Sequence, residues 1–181
     1  MLITKQDQRT AAMAARTGQD PAFGFFLAGH VLASWRFLPG IVVAGFWPLP
    51  GEIDIRPLLL TLAGRGHPVA LPITPRRGRP LTFARWRPGD ALVPERFGTV
   101  RPLGGPLVPD LLLVPLLAFD GRCRRLGYGG GFYDRTLAAL PGRVAIGCAF
   151  AAQRVDCVIA EAHDMRLDAV ATEGGLIFPE G

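Results

Sequence analysis

Arginines, glycines and an acid stand close together at one place in this chain of 181 residues: residues 124–134 read RRLGYGGGFYD. Both tyrosines of the chain, Tyr128 and Tyr133, and four of its 23 glycines lie between Gly127 and Tyr133. A loop this poor in side chains lets backbone N–H groups converge on one point, in conformations that only glycine adopts cheaply. Helix formers follow from Phe132 to Leu140, so the loop opens onto a helix N-terminus, where an anion is favoured. Arg124 and Arg125 add positive charge. Asp134 falls in the first turn of that helix, where a carboxylate could hold magnesium against phosphate oxygens. This pattern points to a phosphate cradle. The plainer alternative is a tight strand-to-helix turn with an acid near the helix start.

Several other chemistries are excluded by the same inspection. A Walker loop needs a lysine and a hydroxyl residue after its last glycine, and the only lysine, Lys5, is far away in sequence. A dinucleotide fingerprint starting at Gly127 would need glycine where Phe132 stands. The only serine, Ser34, lies in no G-x-S-x-G elbow. His30, His67 and His163 lack H-E-x-x-H spacing, and no activating base can be assigned to a cysteine nucleophile. Cys148 and Cys157 are read as small buried hydrophobes. The pair His163-Asp164 could be a metal or supporting site, or only a surface turn.

Elements must position these groups. Residues 5–17 read as a helix on which Lys5 and Arg9 share a face, by i, i+4 spacing. A second helix follows Asp20-Pro21 toward Trp35, with Phe25, Phe26, Val31 and Leu32 as its expected buried stripe. IVVAGFW (41–47) reads as a buried strand, and Glu52 and Asp54 stand ahead of a helix that ends near Arg65, where acids would complement its N-terminus. PVALPI (68–73) is the next strand, which completes a right-handed βαβ unit. Residues 74–109 read as loops with one short strand, LTFARW. LLLVP (111–115), RVAIGCAF (143–150) and a last strand over 168–172 follow. The expected fold is α/β: an open, mostly parallel, Rossmann-like sheet flanked by helices in three layers, as one domain over 1–181. In such sheets ligands sit beyond the strand carboxyl ends.

Composition narrows the class further. The chain is 49% hydrophobic and 19% charged, which supports a packed core. Twenty basic against fifteen acidic residues give +5, suited to an anionic ligand. Eight arginines lie between Arg65 and Arg101 against Asp90 and Glu95; they could draw in an anionic substrate or simply be a solvated loop. Nucleic acid is not the expected partner, because interleaved surface aromatics are missing. No apolar run reaches the ~18 residues of a membrane span. Three cysteines without C-x-x-C spacing point to a reducing, cytoplasmic setting.

VPLLAFDGRCRRLGYGGGFYDR (114–135) resembles the signature of the 5-formyltetrahydrofolate cyclo-ligase (methenyltetrahydrofolate synthetase) family. The likeness extends outward to Lys5 and Arg9, to FWPLPGEID, to GHPVALPI, to Gln153 and to HDMRLDAVATE. It implies an enzyme that uses ATP and magnesium to close 5-formyltetrahydrofolate into 5,10-methenyltetrahydrofolate. It further implies that Lys5, Arg9 and residues 125–133 (Arg125, Leu126, Gly127, Tyr128, Gly129, Gly130, Gly131, Phe132, Tyr133) bind ATP. Asp134 and Asp164 would hold magnesium, and Trp47, Glu52 and residues 128–132 would contact the folate. A monomer is expected, with the arginines of 76–101 as candidates to attract a polyglutamated tail. Three positions depart from the family pattern: Leu116 replaces a glycine, Phe132 the first of two tyrosines, and Ala160 stands near an expected proline. The alternatives are a non-catalytic relative, which should have lost the acids or glycines kept here, and a nucleic-acid-binding module.

Overall fold

The computed structural model describes residues 4–180. Helix α1 (Lys5–Ala15) starts at Thr4, whose side chain accepts from the Asp7 N–H while Asp7 accepts from the Thr4 N–H, a reciprocal cap that fixes the first turn. Pro21–Phe23 form a single 3-10 turn, and α2 (Gly24–Ser34) follows directly. Its buried face is Gly24, Leu27, Ala28 and Val31, at i, i+3, i+4, i+7. Phe25 and Phe26, expected inside, are exposed. They stand one and two residues beyond Gly24, hence off the stripe, and Gly24 must face inward because a Cβ there would lie 1.7 Å from the Asp54 carbonyl oxygen.

The 41–47 run contributes only a short strand, β1 (Val43–Ala44), before turning away at Gly45; α3 (Arg56–Gly64), β2 (Val69–Ile73) and β3 (Thr82–Trp86) come next. The segment 74–109 is more structured than its proline and glycine content predicts. Besides β3 it holds an antiparallel ribbon, β4 (Leu92–Pro94) with β5 (Val100–Pro102), and an edge strand, β6 (Pro106–Leu107). The ribbon pairs through tertiary context: Glu95 accepts the Thr74 N–H at 3.0 Å and so ties the ribbon to the end of β2. Strand β7 (Leu111–Pro115) runs into a small hairpin, β8 (Ala118–Phe119) and β9 (Arg125–Leu126), then α4 (Phe132–Ala139). The chain closes with β10 (Val144–Cys148), β11 (Ala169–Thr172) and β12 (Gly175–Ile177).

The main sheet has the order β12-β11-β10-β7-β1-β2-β3-β6. Its five central strands, β11 to β2, are parallel, and antiparallel strands close both edges. Side chains of β7 alternate: Leu111 and Leu113 enter the core with α2 and α3, whereas Leu112 and Val114 face Leu137 of α4. Helices therefore cover both faces, in three layers, and the near-continuous apolar strands follow from that double burial. From β1 the chain winds outward to β2, and from β7 it winds the other way through β10 to β11. The strand order reverses between β1 and β7, which is where an open α/β sheet leaves a crevice at its carboxyl edge.

Candidate active site

Both flanks of that crevice carry the singled-out residues. After β1 the chain runs through Trp47 and turns at Leu49–Glu52; after β7 it runs through the β8–β9 hairpin to the glycine turn. The hairpin is held by buried Asp120, whose carboxylate accepts from the N–H groups of Arg122, Arg124 and Val158. Gln153 holds its base, donating 2.9 Å bonds to the Leu116 and Leu117 carbonyls. Asp120 was not singled out in the sequence; an aspartate before a glycine reads as an ordinary turn.

The glycine turn enters α4 with Gly129 and Gly131 at φ +94° and +65°, the left-handed region. Among the described residues no carbonyl or side chain accepts from the backbone N–H groups of residues 128–134. A row of uncommitted donors at a helix start is what an anion needs. Arg9 borders the row: its Nε donates to the Gly127 carbonyl at 3.0 Å, and a side chain at Gly129 would meet its guanidinium at 3.4 Å. Phe132 lies under the Arg135 guanidinium, 5.3 Å from the ring centroid, and faces the ring of Phe97 at the tip of the β4–β5 ribbon, 6.4 Å away.

On one side of the turn, Arg125 and Asp134 form an ion pair of 2.7 Å. Arg125 is 8% exposed, and it also donates to the Met165 carbonyl while Asp134 Oδ1 accepts the Met165 N–H at 2.9 Å. Asp164 immediately precedes Met165. Its Oδ2 takes the Lys5 ammonium at 2.7 Å and the Glu161 N–H at 2.7 Å. Lys5 and Arg9 both turn onto partners from distant segments. Burial disfavours the Lys5 charge, and the hydrogen bonds from Lys5 to Asp164 and Glu161 together reverse this, leaving the ammonium above its ordinary value. Burial likewise pushes Asp164 up, but the bonds from Lys5 and the Glu161 N–H outweigh it, and the carboxyl ends below its ordinary value. Asp134 and Asp164 approach the same stretch of backbone from two sides, beside a cleft of about 380 Å³ lined in part by Arg124, Arg125 and Arg166. Glu161, His163 and Asp164 present ligand atoms within 4.8 Å of one another. Glu161 is an addition to the residues found by sequence, where nothing marked it.

On the other side, Glu52 is 7% exposed. It is no helix cap: α3 starts at Arg56, and Asp54 accepts the Arg56 N–H instead. The Glu52 carboxylate accepts the Leu49 N–H at 2.8 Å and the Tyr128 hydroxyl. Burial raises its carboxyl above the ordinary 4.5, against the opposing pull of Tyr128, Leu49 and Arg16. Burial and the Glu52 charge push the Tyr128 and Tyr133 phenols upward, so both stay neutral donors. Trp47 is half-buried, edge-on to Trp86 at 5.9 Å and with the Arg56 guanidinium 5.4 Å from its ring. Of the cysteines, Cys148 is buried as expected but Cys157 is exposed, because its neighbour Val158 turns into the core in its place.

Doubly wound sheet, uncommitted N–H row and two acid-lined flanks, one with a buried carboxylate, make up the crevice of an α/β enzyme. The chain belongs to the 5-formyltetrahydrofolate cyclo-ligase family, whose model matches residues 6–173. It is similar to the 5-formyltetrahydrofolate cyclo-ligase of Mycolicibacterium smegmatis, 34% identical over 92% of this chain and 88% of that one. It is also similar to the Escherichia coli K12 protein of the same name, 37% identical over 72% of this chain and 76% of that one. Among solved structures, the 5,10-methenyltetrahydrofolate synthetase of Aquifex aeolicus superposes with a TM-score of 0.77 at 26% identity, over 97% of this chain and 93% of its own. The Mycoplasma pneumoniae synthetase shares the fold, with a TM-score of 0.76 at 20% identity over 94% and 99% of the two chains.

Proposed function

We propose that the chain closes 5-formyltetrahydrofolate into 5,10-methenyltetrahydrofolate, consuming ATP with magnesium and releasing ADP and phosphate. The observation that carries this is the row of uncommitted N–H groups at residues 128–134, set between the Glu52–Tyr128 contact and the Arg125–Asp134 pair. A formamide oxygen is a poor leaving group. Transfer of the γ-phosphoryl to it gives an iminium phosphate, the second folate nitrogen attacks that carbon, and the C–O bond breaks to release phosphate. Such transfer asks for positioning and charge neutralisation more than for a protein nucleophile.

In this reading the N–H row, Lys5, Arg9 and Arg125 hold the nucleotide's phosphates. Trp47 would cover a flat pterin, and Glu52 would accept from the two adjacent donors of its amino-pyrimidine edge. Asp134 and Asp164 suit magnesium: both are hard oxygen donors, and each commits only one oxygen to a short bond, which leaves the other for a metal. Bound there, the ion would neutralise charge on the phosphates. The Arg125 and Met165 bonds both fall on Asp134 Oδ1 and leave its other oxygen uncommitted, while the Lys5 ammonium helps hold the Asp164 carboxyl below its ordinary value.

The test is incubation with 5-formyltetrahydrofolate, ATP and magnesium while methenyl absorbance and ADP are followed. Equal appearance of both, dependent on magnesium, is expected. Absence of a magnesium-dependent signal would sink the reading.

A further inference from the structure

Helix α1 and its end carry three cations along the crevice, and only two belong to the nucleotide side. Arg16 caps the C-terminus of α1, about two turns beyond Arg9. Its Nη1 donates to the Tyr128 hydroxyl at 2.6 Å, and the guanidinium carbon lies 5.5 Å from the same ring's centroid. A Cβ built on Gly51 would lie 3.7 Å from Arg16 Nε, so the guanidinium also rests against the turn that presents Glu52. One side chain therefore touches both flanks of the crevice.

A phenol has one proton and can also accept. With Arg16 donating into its oxygen, Tyr128 directs that proton at Glu52 Oε1. The other carboxylate oxygen is held by the Leu49 N–H. We infer that Arg16 is a positioning residue for the folate site: it fixes Tyr128 on Glu52, so that the buried carboxylate is aimed and held for the paired donors of the substrate. The inference rests on the proposed role of Glu52 as the folate acceptor. An isolated arginine at an exposed helix end contributes little, but this one completes a relay of three side chains from three separate elements.

The same cation matters for charge. Around Glu52 stand Tyr128, Tyr133, Cys148 and Arg16, and among their side chains only Arg16 brings positive charge. Burial already raises the Glu52 carboxyl, and Arg16 opposes the rise. Loss of Arg16 leaves the carboxylate easier to protonate, which moves the acid limb of folate binding to higher pH.

The experiment is direct titration of 5-formyltetrahydrofolate, across a range of pH, into the native protein and into Arg16→Gln, Tyr128→Phe, their double variant and Glu52→Gln. Arg16→Gln and Tyr128→Phe should each weaken affinity by roughly 5- to 20-fold, the scale of one hydrogen bond to a charged relay. The double variant should be no weaker than the worse single one, because both remove the same relay. The acid limb of Arg16→Gln should lie above that of the native protein. Unchanged affinity in Arg16→Gln, or additive losses in the double variant, overturns the inference. If Glu52→Gln loses affinity while Arg16→Gln does not, only the role of Arg16 falls. Full affinity in Glu52→Gln removes the folate acceptor itself. Should Arg16→Gln not fold, Tyr128→Phe decides: native affinity there overturns the relay.

Discussion

At the scale of single residues, buried charge governs what substitution does. Asp134 neutralises Arg125, which has almost no access to water, so its role in the fold and its proposed role toward magnesium are joined. Asp134→Asn keeps a carbonyl oxygen for the Met165 N–H but removes the charge. It is expected to cost about 1–3 kcal/mol of stability and to collapse turnover while folate affinity falls far less. Denaturant titration with steady-state kinetics checks both, and unchanged turnover would take Asp134 out of the metal site. Glu52 behaves differently, because its folded carboxyl lies above its unfolded value of 4.5. Between those two values the folded state binds the extra proton, so this group makes the ligand-free protein less stable as pH rises through the window. Glu52→Gln should flatten that slope, as read by urea unfolding at several pH values above 4.5. Of the site residues, those in the continuous run 125–134 and those of the resembling segments were legible from sequence. Arg16, Asp120 and Glu161 were not, since each is an ordinary surface residue type until the fold brings its partner from far along the chain.

At the scale of elements, the helix α2 shows how a site can be set by packing behind it. Gly24 meets the Asp54 carbonyl, and the Asp54 N–H donates to the Pro21 carbonyl at 3.2 Å. The turn carrying Glu52 is therefore seated on the start of α2. Gly24→Ala should push that turn away, lowering both thermal stability and folate affinity, although the position touches no proposed ligand. Calorimetric melting together with folate titration measures the pair of effects, and a loss of stability with native affinity would uncouple them. The reading of α2 by its two exposed phenylalanines failed because no single periodic stripe stood out in an uncharged helix, and only contact with α3 and the sheet selects the face. The β4–β5 ribbon was missed for a related reason. Its strands have three residues each, too short for a pattern, and they pair only because Glu95 and Thr99 anchor them to Thr74 beyond β2. Leu116, where the family pattern has glycine, fits because it packs over Gly147: a Cβ there would come within 2.7 Å of the leucine. Any side chain at residue 147 would collide with it.

At the scale of the whole molecule, charge and topology act together. The net +5 and an arginine-lined cleft favour the approach of polyanions. Added salt should therefore lower kcat/KM for ATP more than kcat, because screening weakens encounter and leaves buried pairs less affected. A kcat that fell in step with kcat/KM would place the salt effect in the chemical step. By itself the sequence determined the α/β class, the parallel core strands and the glycine turn entering a helix, because each is written in local periodicity and in residues that tolerate few conformations. Tertiary structure alone decided the meeting of Lys5 with Asp164, of Arg9 with Gly127, of Arg16 with Tyr128 and of Tyr128 with Glu52. Those contacts join segments more than 75 positions apart at the switch between β1 and β7. Local propensity carries no information about which distant cation will be buried beside which acid. The glycine turn first visible in RRLGYGGGFYD is thus a local fact, and its two acid-lined flanks belong to the fold.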